Sequence, residues 1–229
     1  MSTAPNWIAA YVFFGLFILS SILNLFFAFN EMEKARHISK PFCLFFLTIA
    51  VACAVPTWYL IYIGTFLGFL GDILLLWKKQ KFMLVLGALS FLLGDLCYIA
   101  TMMMKFGQAG LLNWTVGGYI LIYFAVLLLI SVPFMYVFTK HSPLFTAVGV
   151  IYATVLITVG ATALLGDYWG YAQYLVLVSA GDVFFCASDL TLGATIFKKD
   201  IKRRDFWIML TYLIAEGLIS VGLVLTVIR

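Results

Sequence analysis

Unbroken apolar runs of about 20 residues recur along this chain, and that is the length an α-helix needs to cross the hydrocarbon of a bilayer. The runs occupy residues 6–29, 41–55, 57–77, 82–104, 114–138, 144–165, 171–197 and 206–228. Only short polar or glycine-bearing connections separate them. No segment is long enough for a soluble domain, so residues 1–229 read as one transmembrane helical domain. A β-barrel would alternate apolar and polar residues over about 10 positions, and this sequence does not. Lipid offers no partner to a backbone N–H or C=O, so a helix, which satisfies both internally, is the solution left. The second run is short and Pro56 follows it, which predicts a tight hairpin between the second and third helices. The expected fold is all-α: a polytopic membrane bundle of about eight transmembrane helices.

Composition agrees for the same physical reason. Charged residues make up 10% of the 229 and hydrophobic ones 65%, against roughly 25% charged in a soluble domain. There is too little polar side chain to cover a water-facing surface. The first run has no basic segment before it and no small-residue cleavage site, so it is expected to persist as a first helix rather than leave as a signal peptide. Cys43, Cys53, Cys97 and Cys186 all sit inside apolar runs without ligand spacing, and read as reduced small hydrophobes.

Basic residues orient the bundle. The connections after the first, third, fifth and seventh helices carry 12 of the 14 Lys and Arg residues, and only Lys105 and Arg229 fall on the other side. Positive loops stay in the cytoplasm, so both termini are expected on the non-cytoplasmic face. The net charge of +4 is accounted for by topology and anionic headgroups. Membrane lipids are the expected partners and nucleic acid is not.

Five carboxylates lie inside the predicted helices: Asp72, Asp95, Asp182, Asp189 and Glu216. An ionisable group at membrane depth is costly and marks a functional site facing the bundle interior. Asp182 and Asp189 are seven residues apart and share a helix face with Ser179 and Cys186. Tyr212, Glu216 and Ser220 form an i, i+4 stripe; Tyr98 lies one turn from Asp95; Gly64, Gly68 and Asp72 align as a small-residue groove ending at a carboxylate. The stripes suggest one polar cavity open towards the cytoplasmic leaflet, with no intramembrane Lys, Arg or His opposite the acids. Carboxylates crowded in a low dielectric cannot all ionise, so at least one is expected to keep its proton. A neutral carboxyl beside a carboxylate suits reactions through oxocarbenium-like transition states.

The chain resembles the YhhN-like lysoplasmalogenases, a family of multi-pass membrane hydrolases. The likeness rests on Lys40-Pro41, on Gly71-Asp72-Ile73-Leu74, on Gly94-Asp95-Leu96-Cys97-Tyr98-Ile99, on the stretch Gly181 to Leu190 containing Ser188-Asp189, and on Tyr212-Leu213-Ile214-Ala215-Glu216-Gly217. Asp72 and Asp189 match the family pattern. Asp95 stands where the family usually has histidine, Asp182 where it has a small apolar residue, and Glu216 where it has glutamine. The resemblance implies hydrolysis of the vinyl ether bond of a lysophospholipid, a lysoplasmalogen, to a fatty aldehyde and a glycerophospho-base. Asp72 or Asp189 would give the proton and its neighbour would stabilise the cation, with Asp95, Asp182 and Glu216 in the same acidic set. Tyr98, Ser188 and Tyr212 would position water or the glycerol. Lys40, Lys78 and Arg203 would meet a phosphate at the cytoplasmic rim. Asn24 either faces the same cavity or bridges two helices.

No cofactor is expected, although Asp95, Asp182 and Glu216 offer an alternative, an oxygen-only site for a divalent cation. A zinc amidohydrolase or a Ser-His-Asp hydrolase needs intramembrane histidine, and His37 and His141 sit in predicted loops. The rival reading from another class is a proton- or cation-coupled transporter using the acidic residues as a relay, although no inverted repeat accompanies them.

Overall fold

Each apolar run becomes a helix in the computed structural model, which describes residues 4–77, 80–112, 114–139, 142–197 and 202–229. The helices are α1 (Trp7–Phe29), α2 (Glu33–Ala54), α3 (Tyr59–Leu74, continued by a 3-10 turn over Leu75–Trp77), α4 (Lys81–Gln108), α5 (Trp114–Phe138), α6 (Pro143–Tyr168), α7 (Leu175–Phe197) and α8 (Arg204–Val227). No strand occurs among the described residues. Seven of the helices are long and apolar enough to cross a membrane, and α5 contributes a shorter apolar stretch, Ala125–Phe138. The protein is thus a multi-pass helical membrane protein.

Local sequence explains the boundaries. Asn6 caps α1 by accepting from the Ala9 N–H at 3.1 Å, satisfying one of the donors that a helix start leaves open. Pro143 opens α6 at the first turn, where a missing N–H costs nothing. The α2–α3 connection is the tight turn that Pro56 predicts, with the Trp58 N–H donating to the Val55 carbonyl at 3.0 Å.

The largest departure from expectation is the start of α2. Hydropathy places it at residue 41, yet the helix begins at Glu33 and carries Pro41 in its interior. The polar stretch stays helical because its buried face continues the apolar one. Arg36, Lys40, Cys43, Leu44, Leu47, Ala50, Val51 and Ala54 are all buried along α2, at the three- and four-residue spacing of one helix face. Two cations are thereby carried into the bundle.

Packing arranges α1, α2, α3, α4, α6, α7 and α8 as a closed ring of neighbours, with α8 leaning inward to touch α2, α3 and α4 as well. The α5 helix packs principally on α6. Close approach depends on glycine at the crossings. A side chain at Gly94 would place its Cβ 3.0 Å from the Gly64 carbonyl oxygen, and one at Gly222 would meet the Tyr174 carbonyl at 3.0 Å. These are the small-residue contacts by which membrane helices associate.

Candidate functional site

Asp72, Asp95, Asp182 and Glu216 are buried and Asp189 is half-buried, but the five do not share one polar cavity. They occupy three neighbouring environments, each set by the helix that faces it.

The first lies where α2, α3 and α8 meet. Lys40 Nζ stands 2.9 Å from Asp72 Oδ1, and the two side chains are 10% and 1% exposed. The expectation that no intramembrane cation opposes the acids is therefore corrected. The long inward face of α2 supplies one, and Lys40 is not a free residue of the rim. Tyr212 Oη lies beside Asp72 and Glu216, while Asp72 Oδ2 and Tyr212 Oη have no well-formed hydrogen bond. Glu216 accepts from Tyr98 Oη at 3.2 Å. The aligned glycines make the room: a Cβ at Gly68 would lie 3.3 Å from Glu216 Oε1 and 3.5 Å from Tyr212 Oη.

Deeper in the bundle, Asp95 is 2% exposed and within electrostatic range of Glu216, Asp182 and Asp189. Asp182 sits over Gly160 of α6, at a crossing where Ser179 Oγ donates to the Gly160 carbonyl at 3.2 Å. Among the described residues no three His, Cys, Asp or Glu side chains converge closely enough to hold a metal ion. That corrects the suggestion that Asp95, Asp182 and Glu216 form one.

The third environment is a cavity of about 400 Å³ between α4, α5, α6 and α7, with Leu75 of the turn after α3 also in its lining. Its wall is apolar, built from Phe91, Leu127, Phe134, Val148, Leu156, Ile196 and similar residues, and interrupted by Ser131, Thr139, Tyr152, Cys186 and Asp189. Among the described residues, Asp189 is the one carboxylate in that wall. It is half-buried, whereas Asp72, Asp95, Asp182 and Glu216 are each 5% exposed or less. Tyr152 Oη donates to Asp189 Oδ2 in a short hydrogen bond. Among the described residues, the expected wet acidic pocket is therefore an apolar slot with a single carboxyl at its side. Helix seven turns Asp182 and Asp189 to different neighbours even though seven residues separate them.

The remaining predicted residues take supporting positions. Asn24 bridges α1 and α2, donating from Nδ2 to the Arg36 carbonyl at 3.1 Å and to Ser39 Oγ at 2.8 Å. Ser188 Oγ donates to the Ile208 carbonyl of α8 at 3.1 Å, joining two helices rather than facing a cavity. Arg203 is exposed, adopts a left-handed backbone with φ 54°, and places its guanidinium 3.9 Å from the Phe29 ring centre. Lys78 lies outside the described residues.

Sequence reasoning missed Tyr152 and Arg36. Tyr152 was hidden inside an apolar run and is found only by following α6 onto Asp189. Arg36 was signalled: it stands four residues before Lys40, on the face whose apolar continuation is the core of α2.

The sequence profile of the YhhN family matches residues 35–223, which span every element from α2 to most of α8. No curated protein and no solved structure matches the chain.

Proposed function

Since the chain belongs to the YhhN family, we propose that it hydrolyses the vinyl ether bond of lysoplasmalogens, with Asp189 as the proton donor. One observation carries the assignment: among the described residues, Asp189 is the only carboxylate lining the apolar slot. At about 400 Å³ the slot lies within the roughly 300–1,000 Å³ typical of small-molecule sites. It suits a single hydrocarbon chain, and a bond near the polar end of that chain would pass the carboxyl.

The chemistry needs few groups. Asp189 protonates the β-carbon of the enol ether and leaves an oxocarbenium ion on the carbon bonded to oxygen. The carboxylate formed stabilises that cation across a short distance in a dry site. Water adds to the cation and returns its proton to Asp189. The hemiacetal then breaks its C–O bond, releasing a fatty aldehyde and the free hydroxyl of the glycerophospho-base. Tyr152 fixes the carboxyl through Oδ2 and leaves Oδ1 to carry the proton. Asp72, by contrast, is committed to its ion pair with Lys40. Asp95, Asp182 and Glu216 are not among the residues that line the slot.

Purified protein in detergent, given a lysoplasmalogen, is expected to release aldehyde with no membrane gradient. Asp189→Asn is expected to lower that rate by a hundredfold or more, on the order of a lost general acid, with the melting temperature little changed. Wild-type protein that makes no aldehyde but moves protons or cations in liposomes would instead establish the carrier reading, for which the buried series Asp72, Glu216 and Asp95 is the supporting feature.

A further inference from the structure

Ser131 of α5 carries a buried hydroxyl to which the hydrolytic scheme gives no role. It is 8% exposed and lines the apolar slot. A serine or threonine inside a helix commonly turns its hydroxyl back to a carbonyl of the preceding turn. Thr48, Thr101, Thr139, Thr158, Thr191 and Thr226 all do so, at 2.6–2.9 Å. Ser131 Oγ does not, and it has no hydrogen-bond partner among the described residues. A hydroxyl left so in an apolar wall is costly unless something within the slot bonds to it. Packing sets this hydroxyl level with the Asp189–Tyr152 pair. The α5 and α7 helices run in one direction and α6 in the other. A Cβ at Gly193 of α7 would lie 2.9 Å from the Phe138 ring of α5. Counting back from that contact to Asp189 and to Ser131 leaves the two about 4.5 Å apart along the axis, at 1.5 Å per residue. Met135 of α5 presses on Gly149 of α6, and the same count leaves Ser131 and Tyr152 about 1.5 Å apart in depth.

Hydrolysis in an apolar slot needs a water held where the cation forms. A buried water requires two to four polar partners. The wall offers three at one level: Ser131 Oγ, the Asp189 carboxyl and Tyr152 Oη. Thr139, another hydroxyl of the wall, is already engaged with the Met135 carbonyl at 2.8 Å and Thr146 Oγ1 at 2.7 Å. We propose that Ser131 holds, against Asp189, the water that adds to the oxocarbenium ion. This rests on the slot being the site of the proposed hydrolase, and assigns the residue that places the nucleophile. Once Asp189 Oδ1 has given its proton to the β-carbon, it can accept one. The water oxygen bonds to the cationic carbon and releases a proton to Oδ1, so the hemiacetal is neutral and the carboxyl is restored. Ser131 exchanges neither proton nor electron pair with the substrate. It acts through the water and is a positioning residue.

Two measurements on the purified full-length protein in detergent test this. The first needs no turnover. Infrared difference spectroscopy at acid pH reads the carbonyl stretch of the protonated Asp189 carboxyl, assigned by its loss in Asp189→Asn. Ser131→Ala is expected to move that band to higher frequency, as a carboxyl does on losing a hydrogen-bond partner. Ser131→Thr keeps the hydroxyl and is expected to keep the band in place. The second measurement offers methanol as a rival nucleophile during turnover of a lysoplasmalogen. Addition of water yields aldehyde, whereas addition of methanol yields a mixed acetal that retains the glycerol. Ser131→Ala is expected to lower kcat about tenfold with KM little changed, the scale of one hydrogen bond to a charged group. It is also expected to raise the ratio of acetal to aldehyde severalfold, and Ser131→Thr to restore both. A residue that only packs the slot would leave that ratio alone. Should Ser131→Ala fail to fold, Ser131→Cys, similar in shape but a weak donor, carries the same expectations. An Asp189 band unmoved by the loss of the hydroxyl would overturn the proposal, as would an unaltered acetal ratio. Wild-type protein that releases no aldehyde would remove the hydrolase reading and the water's part in it. The infrared band would still show whether Ser131 holds a water against Asp189.

Discussion

Two hydrogen-bonded acids show how much one neighbour decides. Asp189 and Asp72 both fall within the stretch matched by the family profile, yet one meets a tyrosine at the wall of a slot and the other meets an ammonium between helices. Tyr152→Phe removes the donor that orients Asp189 and leaves the slot its shape. Aldehyde release is expected to fall about tenfold to a hundredfold, the scale of a charged hydrogen bond. The loss should lie mainly in kcat, which steady-state kinetics would separate from KM. The Lys40–Asp72 pair makes a stability prediction. Lys40→Met leaves a buried carboxylate without its partner, a change that costs about 3–5 kcal/mol in buried pairs. Lys40→Met/Asp72→Asn removes both charges and is expected to recover most of that loss in thermal unfolding. A double variant no more stable than the single one would mean that the pair does not hold α2 against α3.

Helix packing sets where those residues can go. The α3–α4 crossing is so close that a Cβ at Gly94 would press on the Gly64 backbone, which cannot turn aside as a side chain does. Gly94→Ala is expected to destabilise the protein by about 1–3 kcal/mol, the cost of overpacking, measured by denaturation in detergent. Gly15, with nothing within 4 Å of an added Cβ, is the control, and Gly15→Ala is expected to be neutral or slightly stabilising. The α2 helix teaches the complementary lesson. Its first two turns are polar, so hydropathy alone assigns them to a loop, but Arg36 and Lys40 lie on the buried face and are paired with Asp205 and Asp72. Reading periodicity back through the polar residues would have located the helix start. It would not have identified the partners, because those come from α3 and α8.

At the scale of the whole molecule, the asymmetry of basic residues predicts that the connections after α1, α3, α5 and α7 face the cytoplasm. Single cysteines replacing exposed Lys34 and Gln108, in a chain whose native cysteines are changed to alanine, are expected to react with an impermeant reagent from the cytoplasmic and the opposite side respectively. Labelling of both from one side would refute that topology. The sequence determined the all-helical membrane fold unaided, because apolar length and backbone hydrogen bonding in lipid leave almost no alternative. It also singled out the buried acids, because charge at that depth is conspicuous against an apolar background. What only the tertiary structure decided was how those acids are divided: Asp72 given to Lys40, Glu216 to Tyr98, and Asp189 to Tyr152 and the slot. Period and hydropathy fix which face of a helix is inward, but the neighbour across that face comes from distant sequence. Whether a carboxyl meets a cation, a phenol or an open cavity is settled only when the helices pack.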